Sequence, residues 1–198
     1  MNNQFDNLGK RLKSLIDNNQ YVLTPGVFSP LIAMMAEKKG FKSLYFSGAA
    51  FSAMKGVPDI GIFTFQELFD AVIEITKMSN LPLIVDVDTG FGEVINVTRT
   101  VSDLESIGVA AIQIEDQLFP KRCGHLEGKE IIESNEFAKK IYAAKSVSKD
   151  VARLTIMRKN LRENLKNSPL GRIEPFMRDL ENAYLYAWKN KATHLTDN

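Results

Sequence analysis

The 198-residue chain has one cysteine, Cys123, and two histidines, His125 and His194. A single thiol excludes an intrachain disulfide framework and a Cys-rich zinc site, and two imidazoles exclude a His-built one. There is no excess charge of either sign: 25 Lys+Arg stand against 24 Asp+Glu, for a net charge of +1. Without a concentrated basic surface, nucleic acid is not an expected partner. The segment from Met1 to Gln20 is polar and mixed in charge, so it reads as neither signal peptide nor membrane span. The expectation is a cytoplasmic protein with no membrane partner. No Gly-x-Gly-x-x-Gly follows the first apolar run and no Walker loop occurs, which leaves nucleotide binding unsupported.

What is present is a globular composition, 44% apolar and 25% charged, with length enough for one sizeable core. Phe5, Leu8, Leu12, Leu15 and Ile16 recur at helical spacing up to Asn18-Asn19. A regular alternation follows. Tyr21 to Thr24 reads as a strand stopped by Pro25-Gly26, and Leu31 to Lys39 as a helix ended by Gly40. Ser43 to Phe46 is a second strand, followed by the small-residue turn Ser47-Gly48-Ala49-Ala50. Thr64 and Glu67 have capping-box spacing ahead of a helix. Leu81 to Val87 and Ala110 to Ile114 are two further strands, with a helix over Val94 to Ile107 between them. A polar loop then runs to Glu133, and Ser134 opens a helix through Val147. Strands this apolar on both faces are expected in a parallel sheet covered by helices, either an open doubly wound sheet or a (β/α)8 barrel.

After Asp150 the composition shifts. Residues 1–150 carry 16 basic and 19 acidic side chains, whereas 151–198 carry 9 and 5. The expected organisation is a βα domain over 1–150 and a helical tail over 151–198. The tail's apolar positions are Leu161 and Leu165, then Phe176, Leu180, Ala183, Tyr184, Ala187 and Trp188.

Polar residues gather where strands two, three and four end, the edge at which α/β folds place their chemistry. Asp86 and Asp88 are two apart on the third strand, so their carboxylates share a face. Hard oxygen ligands of this kind suit Mg²⁺, with Glu115-Asp116 and Asp59 able to join them. A hydrogen-bonded turn explains the same spacing. Lys121-Arg122-Cys123-Gly124-His125 puts two cations, a thiol, a glycine and an imidazole in one loop. Neighbouring positive charge activates a thiol and binds carboxylates, while a solvated basic loop with an incidental cysteine is the plainer alternative. Tyr45 is either a proton-exchanging phenol or a packed aromatic. The backbone of Ser47-Gly48-Ala49 can hold a carboxylate.

Taken jointly, Tyr45-Phe46-Ser47-Gly48, Gly56-Val57-Pro58-Asp59, Leu83 to Gly92, Ile114-Glu115-Asp116-Gln117 and Lys121 to His125 resemble the isocitrate lyase/phosphoenolpyruvate mutase superfamily, most closely its methylisocitrate lyase-like members. The resemblance covers about residues 8–150. It implies a (β/α)8 barrel, of which the chain carries about four βα units before the helical appendage. The Arg-Thr-Asp, glutamate and asparagine segments of the family's later strands are not found. It implies Mg²⁺-dependent cleavage of a small 2-hydroxy di- or tricarboxylate to an α-keto acid and a second carboxylate. By position, Asp86 and Asp88 would anchor Mg²⁺, with Asp59 and Glu115 holding its waters. Tyr45 would help remove the hydroxyl proton and Cys123 would protonate the departing carbanion. Ser47, Gly48, Ala49, Gly124 and His125 would position carboxylates, and Lys121 and Arg122 would supply positive potential. The mutase-like members lack the cysteine and tend to carry Trp where Tyr45 stands, which favours a lyase over a phosphonate-forming mutase. Dimethylmalate lyases and carboxyphosphonate-type mutases share much of the signature, so phosphoenolpyruvate mutase- or carboxyphosphonate mutase-like activity is a further alternative. A remnant that binds only metal or keto acid is the other alternative. Residues 160–190 weakly resemble the C-terminal end of TPR-linked, O-GlcNAc transferase-like glycosyltransferases, through Leu161-Arg162, Ser168-Pro169-Leu170, Phe176, Asp179-Leu180-Glu181, Tyr184 and Trp188. The open sheet edges of such a half barrel predict a homo-oligomer.

Overall fold

The computed structural model describes residues 8–18 and 22–148, together with Arg178, Glu181, Asn182, Leu185 and Tyr186. The chain divides into two compact units, Met1–Lys149 and Asp150–Asn198. In the second, the five described residues are helical and exposed. The tail's expected apolar positions, Leu161, Leu165, Phe176, Leu180 and Trp188 among them, lie outside the described residues, as does Phe5.

The first unit is built from α1 (Leu8–Asp17), β1 (Gly26–Val27), α2 (Pro30–Lys38), β2 (Leu44–Phe46), α3 (Gly48–Met54), α4 (Phe65–Met78), β3 (Leu83–Asp86), α5 (Val94–Ser106), β4 (Ala111–Gln113) and α6 (Ser134–Ser148). The strands form one parallel sheet in the order β1-β2-β3-β4. It is an α/β fold in which helices connect successive parallel strands, as the alternation predicts.

Local chemistry explains most element boundaries. Pro30 opens α2 in the first turn, where its missing N–H costs nothing. Gly40, at φ 89, ends α2 in the left-handed region. Its N–H donates to the Glu37 carbonyl and that of Phe41 to the Ala36 carbonyl, the Schellman pattern. At α4 the Glu67 N–H donates to Thr64 Oγ1 at 3.3 Å, and the Thr64 N–H to Glu67 Oε2 at 2.8 Å. The expected capping box is therefore formed.

Three expectations are corrected. The first strand is not Tyr21 to Thr24 but Gly26–Val27, beyond the proline read as its stop. Pro25 still takes part, since its carbonyl accepts from the Tyr45 N–H at 3.0 Å. A proline with no N–H to offer is tolerated on an edge strand. The small-residue stretch after β2 is not a turn but the start of α3, with Ser47 as N-cap accepting from the Ala50 N–H at 3.2 Å. The sheet is also not apolar on both faces. Leu44, Phe46, Leu83, Val85 and Val87 belong to the core with Leu68, Val72 and Ile75 of α4 and Leu104 of α5, and Ile112 and Ile114 pack against it. The alternate positions carry Tyr45, Ile84, Asp86 and Gln113. In register, Tyr45 stands beside Ile84, and Asp86 beside Gln113. One face is thus greasy and the other carries the polar groups.

The α4 cap is testable. Thr64→Ala should cost about 1 kcal/mol in urea denaturation. Backbone and side-chain hydrogen bonds from Thr64, with Lys55, hold Glu67 at about 2 instead of 4.5. A depressed carboxyl stabilises above its unfolded value and stops doing so as pH falls toward the folded one. Alanine keeps the Thr64 backbone donor, so only the part of the advantage carried by the Thr64 hydroxyl's hydrogen bond to the Glu67 carboxylate should shrink as pH falls from about 4.5 toward 2.

Candidate functional site

The site lies just beyond the last residues of β2, β3 and β4. The β3–β4 pairing continues past the formal strands: the Val87 N–H donates to the Gln113 carbonyl at 3.0 Å and the Glu115 N–H to the Asp88 carbonyl at 2.8 Å. This fixes Glu115 beside Asp88, on the polar face two residues beyond Gln113. Asp116, the next residue, is exposed.

The backbone between β3 and α5 is unusual. Asp88 and Phe91 have φ of 49 and 61, in the left-handed region that residues other than glycine rarely enter. Phe91 is held there by Phe63 and Phe65, with ring centroids at 6.1 and 5.5 Å. Gly90, at φ 90, leaves no room for a side chain: a Cβ would meet Val97 Cγ2 at 2.5 Å and Ile114 Cδ1 at 2.9 Å.

Asp86 and Asp88 are buried, as is Lys121 at 3% exposure. The Asp86 Oδ1 atom accepts the Asp88 N–H at 3.1 Å. A Cβ on Gly48 would lie 3.2 Å from Asp86 Oδ2, so α3 begins directly against this carboxylate. The Lys121 ammonium forms ion pairs with Asp59 and, at 2.8 Å, with Asp88 Oδ1. It thereby joins the 57–62 loop to the end of β3. The contact to Asp88 is an ion pair without hydrogen-bond alignment, and Asp88 Oδ2 is buried with no hydrogen-bond partner.

Burial lifts Asp88 from 3.8 to about 6; Lys121 pulls the other way, and Asp86 and Asp59 add to the rise. Burial would lower the Lys121 ammonium, but its hydrogen bond to Asp59 and its ion pair with Asp88 carry it above the ordinary lysine range. Lys121 is therefore a permanent buried cation. Tyr45 donates its phenolic proton to Gln113 Oε1 at 2.6 Å. Burial, and next the charge of Asp86, push its pKa well above the usual phenol value.

The 121–125 loop is tied to the same face through Gln117, which is buried. Its Nε2 donates to Glu115 Oε2 at 2.7 Å and to the Arg122 carbonyl at 3.0 Å, while Oε1 accepts the Arg122 N–H at 2.9 Å. Cys123 is half-buried with its Sγ 3.6 Å from His125 Nδ1. Arg122 is exposed and donates to the Glu127 backbone carbonyl at 3.0 Å, so a carbonyl and not the surrounding acids holds it. Gly124 and His125 are exposed. Ser47 serves as the α3 cap, Gly48 is buried against Asp86, and Ala49 is exposed.

The structure thus brings Tyr45, Asp59, Asp86, Asp88, Glu115 and Lys121 into one network of contacts, with Arg122 and Cys123 linked through Gln117. The sequence reading gave no role to Gln113 or Gln117. Alternation places Gln113 on the Asp86 face, but nothing in the sequence marks the reach of Gln117 to Arg122. Among the described residues no three His, Cys, Asp or Glu side chains form a ready metal cage. The donor set, carboxylates including the unpartnered Asp88 oxygen, does fit Mg²⁺, which takes one or two carboxylates and keeps several waters.

Residues 12–160 match the phosphoenolpyruvate phosphomutase family model. The chain belongs to the phosphoenolpyruvate mutase/isocitrate lyase superfamily. It is 44% identical to the 2-methylisocitrate lyase of Aeropyrum pernix over 178 residues, 90% of this chain and 54% of that protein. A solved structure of 2,3-dimethylmalate lyase matches with a TM-score of 0.69 at 34% identity, covering 77% of this chain and 50% of that one. Phosphonopyruvate hydrolase in complex with oxalate and Mg²⁺ matches with a TM-score of 0.65 at 33% identity, over 70% of this chain and 47% of that one. The fold is therefore that of the superfamily, TIM-barrel-like, and the chain spans about half the length of the relatives it matches. The family match runs to residue 160, past the composition shift at Asp150.

The ion-pair arrangement has a measurable consequence. Lys121→Met leaves the buried Asp88 and half-buried Asp59 carboxylates without their cation and should lower stability at pH 8 by about 3 kcal/mol. A carboxyl lifted to about 6 binds a proton more tightly folded than unfolded. Its contribution therefore falls as pH rises through roughly 4 to 6. The penalty of Lys121→Met should accordingly be smaller at pH 5 than at pH 8, as urea denaturation at the two values would show.

Proposed function

We propose that the chain is the metal-binding half of a Mg²⁺-dependent carbon–carbon lyase that cleaves a small, methylisocitrate-like 2-hydroxy di- or tricarboxylate into an α-keto acid and a second carboxylate. The observation that carries this reading is the meeting of Asp86, Asp88 and Glu115 on one sheet face with the Cys123 loop anchored to Glu115. Its relatives include proteins named 2-methylisocitrate lyase and 2,3-dimethylmalate lyase.

Asp86 and Asp88 would hold Mg²⁺, with Asp59 and Glu115 acting through its waters. The ion would supply Lewis-acid stabilisation of charge at the hydroxy-acid oxygens. Tyr45 offers its phenol oxygen as acceptor to the substrate hydroxyl while its own proton is engaged by Gln113. As the carbon–carbon bond breaks, its electron pair passes to the departing carbon, which takes the Cys123 thiol proton. The proton lost from the hydroxyl restores the thiol, so no net proton is consumed. Ser47, Gly48, Ala49, Gly124 and His125 position substrate carboxylates. Arg122 adds positive potential from the loop, and Lys121 does so from below it, already committed to Asp59 and Asp88. The thiol and Tyr45 favour a lyase over a phosphonate mutase. Binding of metal or keto acid without turnover is the second reading, motivated by the half-length match to the relatives.

We further propose that 1–150 is a partial (β/α)8 barrel with 151–198 as a helical appendage, and that copies of the chain associate. Among the described residues nothing pairs with the outer edge of β1 or β4. The two edges run in the same direction, so β1 of one copy can extend the sheet at β4 of another. Beside β4 lies a cleft of about 360 Å³ lined by Leu104, Ala111, Ile112, Ile114, Ile141 and Ala144, and α2 exposes Leu31, Met34 and Met35. Such apolar surfaces commonly mark association. Small carboxylic acids and a second copy are thus the proposed partners, and the cytoplasm the proposed location. No helix among the described residues is long and apolar enough to cross a membrane.

With a panel of 2-hydroxy di- and tricarboxylates, Mg²⁺-dependent release of pyruvate or glyoxylate is expected, and Cys123→Ala should lower kcat by about 10³-fold with KM little changed. Mg²⁺ binding without turnover across that panel would instead favour the second reading. Sedimentation velocity should show a dimer or larger species; a monodisperse monomer at micromolar concentration would remove the association.

A further inference from the structure

The Gln117 side chain lies 7% exposed beyond the end of β4, and its orientation is fixed by its neighbours. The Arg122 N–H can only donate, so it faces Oε1; the Arg122 carbonyl and the Glu115 carboxylate can only accept, so both face Nε2. The loop that this amide spans is closed at its base. Gln117 forms an antiparallel bridge with Ile131. The Leu118 N–H donates to the Glu130 carbonyl at 2.8 Å and the Ile132 N–H to the Asp116 carbonyl at 2.9 Å. Within that closure a single amide takes both backbone polar groups of Arg122, the residue before the only cysteine of the chain.

We propose that Gln117 is a positioning residue: its amide fixes the Arg122–Cys123 backbone to the Glu115 carboxylate and so sets where the thiol stands relative to the acidic cluster. The inference deepens the lyase reading and rests on it for the purpose of the geometry, though not for its existence. Losing the donor side of the amide leaves two part-buried acceptors, the Arg122 carbonyl and the Glu115 carboxylate, without this donor, and losing the whole amide frees the loop. Gln117→Met and Gln117→Glu both keep the length of this buried side chain, so the hydrogen bonds to the loop and to Glu115 are what the two variants change.

The test uses the full-length chain and the alkylation of Cys123 by iodoacetamide, followed by mass spectrometry, with magnesium chloride titrated separately by calorimetry. Gln117→Met keeps the length and removes every hydrogen bond. Gln117→Glu keeps the shape and the acceptor but turns the donor into a second acceptor facing Glu115. Both should raise the metal-free alkylation rate by about tenfold, the scale expected from losing buried hydrogen bonds. Thr64→Ala, destabilising but remote from the loop, should leave the rate within about twofold. A rise common to all three variants would mean general loosening and would overturn the proposal, as would equal rates in wild type and both Gln117 variants. If Gln117→Met does not fold, Gln117→Glu against Thr64→Ala decides alone. A tenfold rise in a chain that binds no magnesium by calorimetry would uphold the positioning role while removing the metal reading, which keeps the two failures apart.

Discussion

The buried ammonium of Lys121 is the constraint on which the site depends. Three separately folded pieces meet at it: the loop after α3 through Asp59, the end of β3 through Asp88, and the long loop after β4 through Lys121 itself. A lone cation at 3% exposure would be expensive to desolvate, and two buried or half-buried carboxylates beside it offset that cost. None of the three pieces can withdraw without stranding charge in a low-dielectric interior. The loop bearing Cys123 is therefore docked at two consecutive residues, Lys121 by electrostatics and Arg122 by the Gln117 amide.

This docking gives the two sheet faces different work. The greasy face, through Phe46, Val85 and Val87 against α4 and α5, fixes strand positions by packing that tolerates little displacement. The polar face inherits that rigidity. Tyr45, Asp86 and Gln113 sit at adjacent register positions of three parallel strands, and their spacing follows from the ladder more than from contacts among themselves. The outer part of the 121–131 loop, where Gly124, His125 and Leu126 face solvent, is held locally: the Lys129 ammonium donates to the Gly124 and Leu126 carbonyls and the Leu126 N–H to the Cys123 carbonyl.

Much of this was legible in the residues. Strand-helix alternation, the Thr64–Glu67 cap and the period-two spacing of Asp86 and Asp88 each reflect local chemistry that leaves a pattern along the chain. What was not legible depended on distance in space. Pro25 reads as a stop in one dimension, yet as an edge residue its carbonyl still joins the ladder to Tyr45. Ser47-Gly48-Ala49-Ala50 reads as a turn because three of its residues are tiny, but a serine cap and alanines also start a helix. Lys121 reads as a surface cation in a basic loop, and only folding brings Asp59, sixty-two positions earlier, to its side. The Gln117 amide belongs to the same class, since five residues of loop conceal the return of the backbone.

Gly90 is where space and backbone geometry constrain the same residue. A methyl group there would collide with Val97 of α5 and with Ile114 beyond β4, besides resisting a φ of 90. Relief would need both the Val97 and the Ile114 side chains to give way, and the positive φ would still disfavour any side chain. The turn that presents Asp88 thus requires glycine at this position for space and for backbone conformation together.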